Sequence, residues 1–246
     1  MYRGFYVTAN GMINYQKVIN TASNNIANSS TAGYRSDKVD PTTFDRRLLL
    51  LRGEENTTGT IEYKTVDNMK TDLTQGSFEF TSSRLDMAID GNVYFNIEGK
   101  DGEEMLTRNG QFNLDDEGYL ALGTSGRVLG EDGPIQIGTA DFAVAEDGTI
   151  TTSEGDTYKL LLSHIDENGD VIKSGDNLFT SEDAGEIPEG EEYKILQGAY
   201  ERSNVDYSKE ITSVMEAQRS FEACSQALKM IDTINQRTAS EIARMQ

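Results

Sequence analysis

The chain has 246 residues, enough for one large domain or two, with a hydrophobic fraction of only 36%, no Trp and a formal charge of −20. The acidic residues are concentrated in the middle. Residues 53–199 contain nine Lys or Arg and 32 Asp or Glu, whereas residues 1–52 contain seven and three. So acidic a section repels nucleic acid and anionic lipid, which argues against a nucleic-acid-binding protein. The chain has no run of 18 apolar residues and no apolar core of a secretory signal, so we expect neither direct membrane insertion nor a cleaved signal peptide.

The first 35 residues predict a helix whose apolar residues recur at every seventh position and form a narrow seam along one side. The seam residues are Phe5, Met12, Ile19 and Ile26, and Thr8, Tyr15 and Ala22 follow three residues later in each repeat. Gly11 lies inside this helix and lowers its stability by about 1 kcal/mol relative to Ala. We therefore expect a helix that is stable only when it is packed.

The end of the chain shows the same seven-residue apolar repeat over a greater length. Its seam comprises Val214, Phe221, Leu228, Asn235 and Ile242, with Ala217, Cys224, Ile231, Thr238 and Met245 three residues further on. Residues 204–246 contain neither Pro nor Gly, so about 40 residues can form one helix about 60 Å long. The matching seams predict a coiled-coil-like pair of terminal helices. The pattern alone is equally consistent with a two-helix hairpin that closes an ordinary globular domain.

A connecting segment is predicted at residues 36–75. Small polar residues interrupt the first helical pattern between Asn24 and Tyr34, and Gly33 admits a positive φ, so the helix should end there in a specific turn. Asp40 and Pro41 then predict the N-cap and first residue of a short second helix, which stops at Gly53.

The apolar period changes to two beyond residue 57, which predicts strands. Early examples are Ile61, Tyr63 and Thr65, and then Phe78 and Phe80. Longer apolar runs are separated by pairs typical of tight turns, namely Asp90-Gly91, Asp101-Gly102, Asn109-Gly110, Glu117-Gly118, Asp132-Gly133, Asp147-Gly148 and Asn168-Gly169. The stretch from Ala184 to Glu192 is predicted to be a solvated loop. The spacing predicts an antiparallel all-β domain over residues 76–197 and a C-terminal helical segment over 198–246, hence an α+β fold.

We predict no catalytic, cofactor-binding or metal-binding residue. His164, the single histidine, lies in an apolar run and is predicted to be a strand residue. The segment from Asp166 to Asp170 lacks the Gly and the bidentate Glu that a calcium loop requires, so we predict a hairpin turn there. Cys224 cannot form an intramolecular disulfide, and its place on the seam predicts a buried small apolar residue rather than a nucleophile.

Four blocks of this sequence resemble a known family. The segment Asn25-Ile26-Ala27-Asn28, followed by Thr31, Gly33 and Tyr34, is similar to the N-terminal signature of bacterial flagellar rod and hook proteins. The run Ser203-Asn204-Val205-Asp206, with Ala217 to Ala223 after it, resembles the C-terminal signature. Two blocks between them, Leu85 to Gly91 and Thr107 to Phe112, resemble the central β domain. The blocks occur in the family's order and span nearly the whole chain.

The resemblance implies an axial structural subunit of the flagellar basal body, of rod type, without enzymatic activity. It also implies polymerisation through the terminal helices into a tube that transmits torque. The implied partners are copies of itself, other rod and hook axial proteins, and the flagellar type III export apparatus. The implied location is extracytoplasmic, in the periplasm or cell-wall zone. Three alternatives stay open: a hook-type protein, a carbohydrate- or cell-wall-binding β module with helical arms, and a wall-cleaving hydrolase.

Overall fold

The computed structural model describes residues 2–43, 64–99, 102–153, 155–165, 171–175, 177–181, 184–185, 187–188 and 192–244. These residues form two compact units, each made of separate parts of the chain. The helical unit comprises Met1–Ala27, Asp37–Asp72 and Asp206–Gln246, and the β unit comprises Asn28–Ser36 and Leu73–Val205, as far as they are described. The predicted segment 1–35 therefore contributes to both units.

The described residues of the helical unit form two long helices and a two-stranded antiparallel sheet. Helix α1 is Tyr2–Ala27 and helix α2 is Tyr207–Arg244, while strands β1 and β2 are Asp37–Thr43 and Lys64–Thr71. Helix α2 begins at Tyr207 because the Asp206 carboxylate accepts hydrogen bonds from the backbone N–H groups of Ser208 and Lys209, at 3.0 and 3.1 Å. Neither helix is long and apolar enough, within its described residues, to cross a membrane.

Helices α1 and α2 pack antiparallel with a seven-residue repeat. A Cβ added to Gly4 would lie 3.4 Å from Cδ1 of Ile231, and one added to Gly11 would lie 3.2 Å from Sγ of Cys224. Seven residues forward along α1 thus correspond to seven residues back along α2. Two further repeats lead to Asn25, whose Nδ2 donates to the carboxylate of Glu210 at 3.2 Å.

The predicted face of α2 lies on the packed side of that helix. Its residues Val214, Phe221, Cys224, Leu228 and Ile231 are half-buried and Ala217 is buried, whereas the side chain of Ile242 lies outside the described residues. In α1, Met12, Ile19 and Ile26 are half-buried, but Phe5 is exposed. Gly4 and Gly11, each one residue before a predicted seam residue, also lie close to side chains of α2.

The close approach at Gly11 leads to a test by double substitution. Gly11→Ala alone should change thermal stability little, because a gain in helix propensity of about 1 kcal/mol is offset by crowding against Cys224. In a Cys224→Ala background the crowding is relieved, so the same change should stabilise the protein by about 1 kcal/mol. Thermal unfolding followed by helical circular dichroism measures both effects. Equal effects in the two backgrounds would show that the contact does not matter.

The predicted second helix is wrong at its start. Asp40 and Pro41 lie in β1, whose register against β2 shifts between Asp40 and Thr42. Pro41 has no N–H to donate, and such an irregularity is where a strand tolerates proline. The rest of that prediction, Phe44 to Gly53, lies outside the described residues, as do Ile61 and Tyr63.

In its described residues, the β unit has sixteen short strands, all paired antiparallel. They are β3 (Phe78–Phe80), β4 (Met87–Asp90), β5 (Val93–Gly99), β6 (Glu104–Thr107), β7 (Asn113–Leu114), β8 (Leu120–Leu122), β9 (Gly126–Gly130), β10 (Gly133–Pro134), β11 (Phe142–Val144), β12 (Thr149–Thr152), β13 (Thr157–Lys159), β14 (Leu162–His164), β15 (Ile172–Gly175), β16 (Leu178–Thr180), β17 (Lys194–Gln197) and β18 (Ala199–Glu201). The predicted α+β fold with a central antiparallel β domain is confirmed. Residues 199–201, predicted within the C-terminal helical segment, form β18 instead.

The largest sheet has nine strands and β5 lies at its centre. The order is β15-β16-β6-β5-β9-β8-β7, with β10 also paired to β9 and β14 to β5. Smaller sheets are formed by β11-β12-β13, by β17-β4 and by β18-β3. Val93, Phe95 and Ile97 of β5 enter the main apolar core, whereas Tyr94 enters a second cluster with Phe179. Both faces of β5 are therefore covered, and the consecutive residues Val93, Tyr94 and Phe95 are all buried.

Most of the predicted turn glycines adopt a positive φ, as expected. They are Gly91, Gly102, Gly118, Gly133 and Gly148. Gly110 is different, because its φ is not positive and a Cβ added there would lie 1.5 Å from the carbonyl oxygen of Met87. Glycine is required at residue 110 by a close backbone approach. The Asn168-Gly169 pair and the predicted hairpin at Asp166–Asp170 lie outside the described residues.

The stretch from Ala184 to Glu192 is not simply a solvated loop. Ala184 packs against the second apolar cluster and Ile187 against the main core. Gly185 also forms a bridge to His164. The prediction rested on the acidic composition of this stretch and overlooked Ala184 and Ile187, which pack against the β unit.

Candidate functional site

No catalytic arrangement was predicted, and His164 is found as the last residue of β14, paired with Val93 of β5. Within the ranges that the structure describes, no group of three or more His, Cys, Asp or Glu side chains is arranged to hold a metal ion. The features that stand out are the buried residues of the N-terminal signature and the exposed apolar residues of the two helices.

Asn25, the first residue of the signature, joins the end of α1 to the start of β1. Its Nδ2 donates to the carbonyl of Asp37 at 2.9 Å, and its Oδ1 accepts from the N–H of Asp37 at 3.0 Å. The side chain is 1% exposed. Only an amide offers a donor and an acceptor in this geometry, which explains the choice of Asn. The next signature residue, Ala27, ends α1 and is exposed.

The second half of the signature is a turn embedded in the β unit. Residues Ala32 to Ser36 are buried, and Gly33 donates its N–H to the carbonyl of Glu201 at 2.8 Å. Gly33 has a φ of +66°, as predicted. A Cβ added to Gly33 would also lie 2.3 Å from the backbone nitrogen of Asn109, a close approach that the sequence did not predict.

Strands β15 and β16 hold the outer side of this turn. The Nζ of Lys173 lies 4.4 Å from the centroid of the Tyr34 ring and donates to the carbonyl of Arg35 at 2.7 Å. Asn177, between the two strands, donates from Nδ2 to the carbonyl of Ala32 at 3.1 Å. Thr31, also a signature residue, closes the turn with its N–H bonded to the carbonyl of Asn28 at 3.1 Å.

Asn204, from the C-terminal signature, repeats within the β unit what Asn25 does in the helical unit. Its Oδ1 accepts from the N–H of Ser36 at 2.8 Å, and its Nδ2 donates to the carbonyl of Thr74 at 3.0 Å. Three segments that are distant in the sequence are joined by this one amide. Both signatures therefore contribute an Asn that bonds to a backbone segment at the point where the chain leaves a helix or approaches one.

A charged cluster lies beneath the turn. Arg35 donates from Nη1 to Oε1 of Glu201 at 2.6 Å, and Arg108 donates from Nη1 to Oε2 of the same carboxylate at 3.2 Å. The three residues are 0%, 2% and 1% exposed for Arg35, Arg108 and Glu201. Oε1 also accepts from the N–H of Gly76 at 2.6 Å. Burial lowers the pKa of Arg108, the Glu201 carboxylate opposes that shift, and the Arg35 charge adds to it.

This cluster was not predicted from the sequence. Arg35 directly follows the signature, and Arg108 lies in one of the central blocks, but charged residues are ordinarily found at the surface. Only position in the sequence pointed to a structural role for these charged residues, because Arg35 and Glu201 each lie beside a signature block.

The helical unit exposes many large apolar side chains. They are Phe5, Tyr6, Val7 and Ile13 in α1, Met69 in β2, and Tyr207, Ile211, Met215, Met230 and Ile234 in α2. Large contiguous patches of exposed apolar residues are typical of interaction surfaces. The predicted assembly role of the seam residues stays a prediction, as does that of the signature residues.

Three family models match the chain in order. "Flagella basal body rod protein" matches residues 5–35, "Flagellar hook protein FlgE/F/G D1 domain" matches residues 88–152, and "Flagellar basal body rod FlgEFG protein C-terminal" matches residues 196–241. The N-terminal match ends at Arg35, and the C-terminal match includes Glu201 and Asn204.

Relatives align over nearly the full length. The chain is 31% identical over 264 aligned residues to the flagellar basal-body rod protein FlgG of Bacillus subtilis, covering 96% of this chain and 97% of that protein. It is 26% identical over 249 residues to the rod protein FlgF of Caulobacter vibrioides, covering 100% and 98%. The flagellar hook protein FlgE of Rhizobium meliloti is 32% identical over 120 residues, covering 49% of this chain and 28% of that protein. On this evidence, the chain belongs to the family of flagellar basal-body rod proteins.

Proposed function

We propose that this protein is a structural subunit of the flagellar basal-body rod. The observation that carries the proposal is the alignment with rod proteins from end to end, through both signatures and the β unit. The alignment with the hook protein covers half of this chain and little more than a quarter of the hook protein, so we prefer a rod role to a hook role. Such a subunit associates with other subunits and catalyses no reaction.

Association proceeds through the helical unit. Packing of α1 on α2 leaves apolar side chains of both helices exposed to water. Burial of these side chains against other subunits lowers the free energy and so favours association. We infer that the helices form coiled-coil-like contacts with copies of this chain and with other rod and hook axial proteins. Head-to-tail contacts of this kind do not close on themselves and generate a tube, and such a tube transmits torque by stiffness alone.

We also infer export by the flagellar type III apparatus to an extracytoplasmic position in the periplasm or cell-wall zone. The end-to-end alignment with flagellar basal-body rod proteins supports this location. The acidic middle section supports solubility of the free subunit, because like charges oppose association.

The proposal is tested by removing apolar contacts without unfolding the subunit. Tyr6→Gln with Ile13→Gln changes α1, and Met230→Gln with Ile234→Gln changes α2; all four residues are more than half exposed. Gln is nearly as good a helix former as Leu, so the isolated subunit should keep its helical circular dichroism. Each double variant should reduce swimming of a bacterium deleted for its own gene at least tenfold, and the variant subunit should be missing from purified basal bodies.

The matched controls are apolar residues exposed on the β unit. Phe80 and Ile172 are 77% and 69% exposed, so Phe80→Gln and Ile172→Gln remove similar apolar surface. These variants should swim as the wild type does. Normal swimming of the helical variants would contradict assembly through the helices, and full-length hooks without rod incorporation would favour the hook alternative.

A further inference from the structure

The charged cluster of the β unit contains more positive than negative charge. Two guanidinium groups, of Arg35 and Arg108, share the single carboxylate of Glu201, and the three side chains are at most 2% exposed. The Arg108 guanidinium also lies 4.5 Å from the centroid of the Tyr94 ring, which softens its charge without neutralising it. One buried positive charge therefore has no counter-charge among the described residues. An uncompensated charge in a protein interior is costly.

The same two arginines have unused hydrogen-bond donors. Nε and Nη2 of Arg35 and Nε of Arg108 are buried and bond to no atom of the described chain. The oxygens of Glu201 are already engaged by Arg35, by Arg108 and by the N–H of Gly76. Buried donors of a charged group are nearly always bonded, and an ion or a water is the usual partner where the chain supplies none.

We propose that this cluster binds one small monovalent anion of the halide class, held by the free N–H groups of Arg35 and Arg108. A single negative charge balances the cluster, which a neutral water would not do. The anion must be small, because Arg35 and Arg108 are almost completely buried. Guanidinium donors bind anions through charge-assisted hydrogen bonds, which are stronger than neutral ones. This site goes beyond the assembly role and does not depend on it.

The site would fasten the signature turn to the β unit. Arg35 is the residue after Tyr34, and its Nη1 also donates to the carbonyl of Thr74 at 2.6 Å. An anion shared by Arg35 and Arg108 would join the turn to the segment before Asn109, against which Gly33 already packs. Anion binding and closure of the turn would then be linked, since each favours the other.

The first test compares chloride with gluconate, an anion too large for the site. The full chain is unfolded by urea in sodium chloride and in sodium gluconate of the same ionic strength. Chloride should raise the unfolding midpoint, and above its dissociation constant each tenfold increase in chloride should add about 1.4 kcal/mol to the free energy of unfolding. Equal midpoints in the two salts at every concentration would overturn the proposal.

Substitutions place the effect in the cluster. Arg35→Met and Arg108→Met each leave one guanidinium for one carboxylate, so each variant should lose the chloride dependence. Arg127→Met is the control, because Arg127 lies on the surface and pairs with Asp115 and Glu117. It should keep the dependence in full. Retention of the chloride effect in Arg35→Met would overturn the proposal.

Bromide gives a direct answer even if a variant fails to fold. Crystals of the wild-type chain grown in sodium bromide should show an anomalous-scattering peak within about 3.5 Å of the Arg35 or Arg108 nitrogens. Competition by chloride should lower the occupancy of that peak. Bromide peaks found elsewhere, with none at the cluster, would overturn the site.

Discussion

Glu201→Gln should destabilise the protein by about 3–5 kcal/mol, the largest effect of any conservative substitution that we foresee. The amide has nearly the shape of the carboxylate but no charge, so both guanidinium groups would lose the carboxylate that they share while they stay buried. The N–H of Gly76 would keep an acceptor of lower strength. Urea unfolding of the full chain, followed by the near-ultraviolet circular dichroism of its tyrosines, measures the loss.

Glu117→Gln is the matched control for that experiment. Glu117 pairs with Arg127 at 2.7 Å, at nearly the same distance as the Glu201–Arg35 pair, but its side chain is 67% exposed. An exposed ion pair contributes less than about 1 kcal/mol, so this variant should unfold close to the wild type. Similar losses in the two variants would show that burial of the Glu201 cluster has no special weight. A stable Glu201→Gln protein would mean that the cluster is neutralised in another way.

Gly33→Ala should cost about 3 kcal/mol or more, through two separate causes. A φ of +66° strains any residue that carries a Cβ, at about 1 kcal/mol for Ala. The added methyl group would also lie 2.3 Å from the Asn109 nitrogen and 2.4 Å from the Arg108 carbonyl carbon, so the turn or the backbone beside it must move. The free energy of unfolding should fall accordingly. Hydrogen exchange at the Gly33 and Asn204 amides, which bond to Glu201 and Tyr34, should be accelerated.

The two causes are separated by Gly138→Ala. Gly138 has the same φ of +66°, but a Cβ added there would meet nothing within 4 Å. That variant should lose only the strain, about 1 kcal/mol, and should show unchanged exchange at Gly33. If the two glycines proved equally replaceable, the close approach to Asn109 would have no energetic importance. The signature glycine would then be explained by its φ alone.

The terminal helices and the antiparallel β domain were predictable because hydrophobic periodicity reports which face of an element is buried. Its limit is visible in α1, where Gly4 and Gly11 lie close to side chains of α2. Glycine carries no hydropathy signal, so the apolar pattern did not predict these two approaches. The approach of Cys224 to Gly11 is a matter of shape, which composition does not report.

Two other differences have equally specific causes. The Asp40-Pro41 pair suits both a helix start and an irregular strand, and pairing of β1 with β2 decides between them. The cluster of Arg35, Arg108 and Glu201 was missed because Arg108 and Arg35 precede Glu201 by 93 and 166 positions, and local patterns carry no information about such distant partners. The signature residues were recognised by resemblance, but their packing became clear only from the structure.

The sequence separation of 166 between Arg35 and Glu201 also affects the order of folding events. A polypeptide synthesised from its N-terminus has made the signature turn long before Glu201 and Asn204 exist. The β unit cannot be sealed until nearly all of the chain before α2 has left the ribosome. Contacts of such long range close slowly, because the entropy of a large loop must be lost before the contact forms. Completion of the β unit is therefore delayed during synthesis. The last contacts of the signature turn form only when Glu201 and Asn204, shortly before the last helix, have been synthesised.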